Sequence, residues 1–317
     1  MRALASEGLD LVCLLRPSST LPSHWPKTIR VIRGTLTDPV TLDQAFHGVQ
    51  AVCHLAARVS DWGTVREIRS ANLEATRILL EFASRHRVQR FVHVSTTDVY
   101  GHPGTRLHDE NVPTHPPHFN WYAETKRQAE ALVVRSDLPW TILRPATVYG
   151  PGSVSMLGEF VRALRDGFML WVNHGRSMAG LVYVEDVVAG IRLALDHPSA
   201  RGEAFNLSAS CDTTWHRLTH DLADALSYSF RPINLPYPVA AGLGMTMECG
   251  YRFARALTGC TTGALLSRQA VQIMGIDQSF SHAKASRLLG YHPATDYSSG
   301  LKASVEWLRC SGYGLNA

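Results

Sequence analysis

A phenol and an ammonium stand four residues apart in Tyr122-Ala-Glu-Thr-Lys126, the only Tyr-x-x-x-Lys in the chain. In a helix, positions i and i+4 share a face, so both groups can enter one cleft. An ammonium beside a tyrosine stabilises phenolate and lowers the phenol pKa from about 10, which permits proton exchange with a substrate oxygen near neutral pH. The run Val94-Ser95-Thr96-Thr97-Asp98-Val99-Tyr100-Gly101 precedes this helix. A hydroxyl at such a strand end, from Thr96 or Ser95, can hydrogen-bond the same oxygen as charge develops on it. Only four of the 31 basic residues are lysines, so a motif that requires lysine does not arise readily by chance. The competing reading, a Tyr–Lys pair on a solvated helix face, leaves the strand-end hydroxyls without a use.

Such a site needs a strand end beside a helix, and the sequence alternates the two. Short β-branched apolar runs predict strands at Asp10–Leu15, Ile29–Arg33, Ala51–Leu55, Arg90–Ser95 and Trp140–Arg144. Helical spacing marks Thr41–Phe46, Glu67–Arg85 and Trp121–Arg135 between them. Nearly all-apolar strands separated by helices predict a parallel sheet covered on both faces, a doubly wound α/β domain. Beyond Gly150-Pro151-Gly152 the pattern loosens, then a strand and helix return at Leu181–Leu195. The remainder predicts a smaller mixed α/β region that contains an apolar stretch, Leu235–Phe253, read as a buried helix, and ends in an amphipathic helix around Leu301–Leu308.

Composition narrows the class of molecule. With 317 residues, 45% hydrophobic and 18% charged, the chain can bury a sizeable core and is not disordered. The net charge of +4 is scattered, with no basic run for nucleic acid or a polybasic membrane anchor, so the expected ligand is small. The most apolar window is too short and too rich in Pro and Gly to span a bilayer. Six dispersed cysteines form neither a C-x-x-C pair nor a metal cluster with histidine, which points to reduced thiols, no metal and a cytoplasmic location, with no signal peptide. A homodimer stays open.

The order of the motifs resembles the extended short-chain dehydrogenase/reductases, which include nucleotide-sugar epimerases, dihydroflavonol reductases and 3β-hydroxysteroid dehydrogenases. The likeness rests on Gly34-Thr35-Leu36-Thr37-Asp38, Val52-Cys53-His54-Leu55-Ala56-Ala57, Asn72-Leu73-Glu74-Ala75-Thr76, the Ser-Thr-Thr strand end, Tyr122/Lys126, and Leu143-Arg144-Pro145-Ala146-Thr147-Val148-Tyr149-Gly150-Pro151. It implies that Tyr122 is the acid/base, that Lys126 binds the nicotinamide ribose and tunes Tyr122, and that Thr96 polarises the substrate oxygen, with Ser95 as the alternative. It implies further that Leu36, Leu55, Ala56 and Ala57 face the adenosine half of NAD or NADP, and that Pro145 and Val148 border the nicotinamide. Residues 1–150 with about 180–200 would form the dinucleotide-binding domain, and 151–179 with 201–317 the substrate domain. His54 is read as a packed strand-end histidine and Asn72 as a structural hydrogen-bonder.

Three departures from the family pattern carry expectations of their own. Thr35 stands where an adenine-binding Asp is common. Arg16, followed by Ser18, stands where NAD enzymes place an acid for the ribose 2′-hydroxyl, which tilts the choice toward NADP(H). No glycine-rich strand–turn–helix fingerprint occurs, and the chain opens as the back half of the family's first helix. The expectation is a doubly wound sheet without its first strand, poor dinucleotide binding by this form, and a start some 15–25 residues upstream with a G-x-x-G-x-x-G turn.

The stretch around Arg144, with Thr147 where nucleotide-sugar enzymes usually have Asn, is closer to the hydroxysteroid dehydrogenase and flavonol reductase branches. Trp62, Phe119, Trp121, Met156 and Trp171 are candidates to line an apolar substrate cleft. The expected activity is interconversion of a secondary alcohol and a ketone on a steroid-like or polyketide-like molecule. The alternatives are a nucleotide-sugar epimerase or dehydratase, and a non-catalytic dinucleotide sensor.

Overall fold

The computed structural model describes residues 1–22, 25–102, 104, 107–114, 120–209, 213–259, 263 and 266–312. The chain runs α1 (Arg2–Ala5), β1 (Val12–Leu15), β2 (Arg30–Arg33), α2 (Pro39–Phe46), β3 (Ala51–His54), α3 (Val65–Arg69), α4 (Ala75–Arg85), β4 (Arg90–Val94), α5 (Trp121–Val134), β5 (Trp140–Pro145) and β6 (Thr147–Tyr149). It continues with α6 (Leu157–Arg165), β7 (Phe168–Val172), β8 (Leu181–Tyr183), α7 (Val184–Asp196), β9 (Glu203–Leu207), α8 (Trp215–Leu226), β10 (Arg231–Leu235), α9 (Tyr237–Thr258), α10 (Arg268–Gly275), α11 (Ala283–Leu289) and α12 (Tyr297–Ser311).

All of the strand pairs are parallel. The main sheet has the order β3-β4-β5-β9, while among the described residues β1 and β2 pair only with each other. The predicted parallel α/β sheet is present, and it is interrupted between β1 and β3. Alternation along each strand divides the core into two layers. Phe91 and Ile142 face the α2/α4/α5 side with Leu79, Phe82 and Val133, whereas Val92 and Leu143 face α7 with Val187, Ile191 and Phe205.

Three elements differ from the sequence expectation. The predicted helix Glu67–Arg85 is two α-helices joined by a π-helical turn, Ser70–Glu74, which periodicity alone does not mark. Strand β9 lies beside β5 in the main sheet, although residues 201–317 are expected on the substrate side. The expected buried helix over Leu235–Phe253 is a helix, but it is not buried all round. Ala240, Gly244, Glu248 and Tyr251 turn inward, while Val239, Leu243, Met245 and Phe253 lie in solvent. One face of the 22 residues suffices to dock it, with Ala241 and Met247 flanking that face.

The second core gathers Leu157, Phe160, Leu164, Trp171, Leu181, Trp215, Leu218 and Leu308. Gly150 fixes the exit from β6: its φ of +131° and the 2.7 Å from a built Cβ to Val184 Cγ1 exclude any side chain.

Candidate active site

The site is built at the carboxyl end of β4 and the first turns of α5. The Asn120 side chain caps α5 by accepting from Ala123 N at 2.8 Å, and this fixes where Tyr122 and Lys126 emerge. Inside α5, Thr125 donates back to the helix carbonyls and accepts from Asn72 Nδ2 at 3.1 Å. Asn72 sits in the π turn and also holds Arg58, accepting from its N–H at 2.7 Å and donating to its carbonyl at 3.3 Å. The π turn re-aims one side chain toward a neighbouring helix, a known use of that distortion. Asn72 is thus a structural hydrogen-bonder.

Thr96 precedes a 3₁₀ turn, Thr97–Tyr100, and its hydroxyl accepts from Asp98 N at 3.2 Å. The same hydroxyl lies near the Tyr122 phenol, whose phenolate it favours. Burial and then the Asp98 charge outweigh this and push the Tyr122 pKa above its ordinary value. The expected lowering by Lys126 is therefore not found in the protein alone. Lys126 Nζ turns to the backbone and donates to Val94 O at 2.6 Å, with His93 Nε2 at 3.5 Å. Burial, partly offset by Glu130, lowers the Lys126 pKa to about 8.

The other sequence candidates lie along the strand ends. Leu55, Ala56 and Ala57 are exposed just beyond β3, Leu55 at 57%, beside the edge of the sheet that has no partner. Arg16 and Ser18 are exposed beyond β1, and Arg16 has no side-chain partner among the described residues. Pro145 is buried at the end of β5, and Val148 is half-buried against the α7-side core. Leu36 is half-buried against the Leu42/Phe46 cluster. Ser95 is buried and its hydroxyl finds no partner among the described residues. His54 is packed, its Nε2–H donating to Thr76 Oγ1 at 2.9 Å because the Thr76 hydroxyl is itself spent on Asn72 O.

Of the proposed cleft residues, Trp62 stacks edge-on with Tyr251 of α9, centroids 4.8 Å apart, and Trp121 is exposed at the head of α5. Met156 packs on the second core, and Trp171 is core outright, enclosed by His216, His220 and Phe230. Phe119 lies outside the described residues. Sequence reasoning passed over two acids beside the site. Asp61 accepts from Ser267 Oγ at 2.5 Å and from Asn120 Nδ2 at 3.2 Å. Asp98 shares the Thr96 turn, and its sequence signal was an ionisable residue inside an otherwise apolar or hydroxylic strand end.

The model for the NAD dependent epimerase/dehydratase family matches residues 1–208. A ketoreductase of Stigmatella aurantiaca acting on 4-hydroxy-2-methyl-3-oxo-4-farnesyl-3,4-dihydroquinoline-1-oxide is 28% identical over 96% of this chain and 90% of its own length. The Arabidopsis thaliana 3beta-hydroxysteroid-dehydrogenase/decarboxylase isoform 1 is 25% identical over 88% of this chain and 66% of its own. Among solved structures, gox2253 superposes with a TM-score of 0.78 at 25% identity over 98% of this chain and 94% of that one. MoeE5 in complex with UDP-glucose and NAD has a TM-score of 0.74 at 22% identity over 98% and 94%, a likeness of fold. This chain belongs to the NAD dependent epimerase/dehydratase family and is an enzyme of the extended short-chain dehydrogenase/reductase type.

Proposed function

We propose that the chain interconverts a secondary alcohol and a ketone on a hydrophobic, steroid-like or polyketide-like molecule, using NAD(P). The observation that carries the reading is the position of Thr96 at the end of β4 beside Tyr122 in the first turn of α5, with Lys126 one helical turn away on the same face and tied to Val94 O of β4. Two relatives that align along most of this chain are described as a ketoreductase and a hydroxysteroid dehydrogenase, and the former's substrate is a 4-hydroxy-3-oxo compound.

The nicotinamide end of a dinucleotide fits the residues present. The orphaned Ser95 hydroxyl, the exposed Leu55–Ala57 segment and the buried Lys126 ammonium line the carboxyl ends of the strands, where open parallel sheets bind ligands. Arg16 and Ser18 would take the adenosine ribose and its 2′-phosphate, Lys126 the nicotinamide ribose, and Pro145 with Val148 would border the ring. No residue is assigned to the diphosphate, because the sequence holds no glycine-rich strand–turn–helix. When bound, the nicotinamide supplies or accepts hydride. The chain's own part is to hold the substrate oxygen between Thr96 and Tyr122 and to move one proton at the Tyr122 phenol. The Lys126 ammonium stabilises the phenolate that remains after proton donation.

Tyr122→Phe keeps the ring and removes the proton, so turnover of a ketone panel with NADH or NADPH should fall by about 10²-fold or more while the circular dichroism spectrum stays the same. Turnover at the wild-type rate would overturn the assignment. A second reading, a nucleotide-sugar epimerase or dehydratase, draws on the family match, and an Escherichia coli O157:H7 4-epimerase of a sugar carried on undecaprenol diphosphate is 27% identical over 68% of this chain. Tight NAD carried through purification, with no net oxidation of substrate, would favour it.

A further inference from the structure

We propose that Asp61 is a positioning residue that joins the N-terminal caps of α5 and α10 through one carboxylate and thereby fixes where Tyr122 stands relative to α10. This rests on the reading of Tyr122 as proton donor and adds to it the group that aims the phenol.

The two helices set the polarity of the bridge. Asn120 is the N-cap of α5, and its side-chain oxygen accepts from Ala123 N at 2.8 Å. Ser267 is the N-cap of α10, and its hydroxyl accepts from Ala270 N at 2.9 Å. Each cap thus uses an acceptor on its own helix and has a donor left over. Both donors end on Asp61, Ser267 Oγ on Oδ2 at 2.5 Å and Asn120 Nδ2 on Oδ1 at 3.2 Å. Ser267 and Asn120 are buried, whereas Asp61 lies on the loop after β3 where solvent reaches it. Buried polar hydrogens need an acceptor, and here one side chain supplies it to two helices at once.

The same loop and the helix after it seat the rest of the α9–α10 pair. Trp62 packs on Tyr251, and Glu67 accepts from Arg255 Nη2 at 3.1 Å. Arg268 N and Nε both donate to Glu248 of α9 at 2.8 Å, which fastens the start of α10 to α9. On the other side of that turn, Gln269 Nε2 lies 2.9 Å from His102 Nε2, just beyond the 3₁₀ turn that Thr96 caps. The first turn of α10 is therefore tied both to the head of α5, two residues before Tyr122, and to the turn that Thr96 opens. The Glu67–Arg255 pair is partly exposed and contributes little in water. Asp61 is the link that reaches the helix bearing the phenol, and its bonds to buried, charge-assisted donors are the stronger ones.

Asp61→Ala removes both acceptor oxygens, and Asp61→Asn keeps the shape and one of them. With a ketone that the wild type reduces, kcat should fall about tenfold or more in Asp61→Ala while KM for NAD(P)H stays within about twofold, because a misdirected proton donor acts on the chemical step. Asp61→Asn should recover part of that loss. In a Tyr122→Phe background the Asp61→Ala change should cost less than about twofold, since no phenol proton remains to be aimed. A merely structural role would instead lower the amount of active protein alike in both backgrounds. Hydrogen exchange in Asp61→Ala should quicken in the first turns of both α5 and α10, which reads the bridge without any substrate. Wild-type kcat in Asp61→Ala, an equal fold loss with and without the Tyr122 hydroxyl, or faster exchange confined to one helix would overturn the proposal. Tyr122→Phe at the wild-type rate rejects the proton-donor reading itself, whereas a slow Tyr122→Phe beside a fully active Asp61→Ala rejects the positioning alone.

Discussion

The Lys126 ammonium donates to the main-chain carbonyl of Val94 at 2.6 Å, on the strand whose end carries Thr96. One side chain thereby ties α5 to β4 and sets the phenol one turn earlier against the strand-end hydroxyl. Burial lowers the Lys126 pKa to about 8, so its ammonium is lost at lower pH than that of an ordinary lysine. In the proposed mechanism the phenolate left at Tyr122 draws on that charge, and kcat/KM should therefore fall as pH rises through about 8. In Lys126→Arg, whose guanidinium stays charged, residual activity should lack this limb. A wild-type profile that stays flat to pH 10 would exclude the role.

The strands β1 to β5 and the helices between them could be read from the sequence because each strand centres on apolar, largely β-branched residues, such as Val31 and Ile32 in β2 and Phe91 and Val92 in β4. The Tyr–Lys pair was legible for a different reason, since lysine is scarce enough here for its position to carry information. What escaped was set by long-range partners. The π turn at Ser70–Glu74 exists because Asn72 reaches Arg58 and Thr125, and no local pattern announces those partners. The upward shift at Tyr122 comes from burial and then from the Asp98 charge, neither of which follows from i, i+4 spacing. Trp171 was a candidate for the cleft on residue type alone, and packing decided otherwise.

The Arg144–Glu130 pair should dominate the response of the main sheet to mutation. Arg144 Nε and Nη2 donate to the two carboxylate oxygens of Glu130 at 3.0 and 2.7 Å, and Nη1 donates to Tyr100 Oη at 2.8 Å. Both charged side chains are at least nine-tenths enclosed. Glu130→Ala would leave a guanidinium uncompensated and should cost about 3–5 kcal/mol in urea unfolding, whereas Glu130→Met combined with Arg144→Met should cost much less. Equal losses in the single and double variants would show that packing volume, and not the unpaired charge, sets the penalty.

His54 and His93 stand side by side beneath Lys126, their ring centroids 5.3 Å apart. Burial and then the Lys126 charge lower the His54 pKa to about 3, and burial, Lys126 and His54 hold His93 well below its ordinary value. Each folded pKa is below the unfolded one, so the unfolded chain binds more protons under acid conditions. Their contribution is fully present above about pH 6.5 and is lost as pH falls, at up to about 1.4 kcal/mol per pH unit for each ring. Asp61 and Asp98, with raised pKa values, act in the opposite sense, so the comparison must be with a variant. His54→Asn with His93→Phe should flatten the fall in unfolding free energy between pH 7 and pH 5, and parallel slopes in variant and wild type would refute the assignment.

Arg16 offers the most direct handle on cofactor choice. The neighbouring Arg33 is committed, donating to Pro17 O at 3.2 Å and Ser19 O at 2.8 Å, and so it braces the loop after β1. Arg16 is exposed at the end of the same strand with no described side-chain partner, and its guanidinium is free to take a 2′-phosphate as a two-pronged donor. Arg16→Asp exchanges that donor for a carboxylate, which repels a 2′-phosphate and can accept from a 2′-hydroxyl. The ratio of kcat/KM for NADPH to that for NADH should shift toward NADH by about tenfold or more, the scale of a charge-assisted hydrogen bond gained or lost. Arg33→Gln is the companion variant, because it loosens the loop without touching the proposed phosphate contact and should weaken both cofactors alike. A ratio unmoved by Arg16→Asp would put Arg16 outside the pocket and remove the preference for NADP(H) that its position implies.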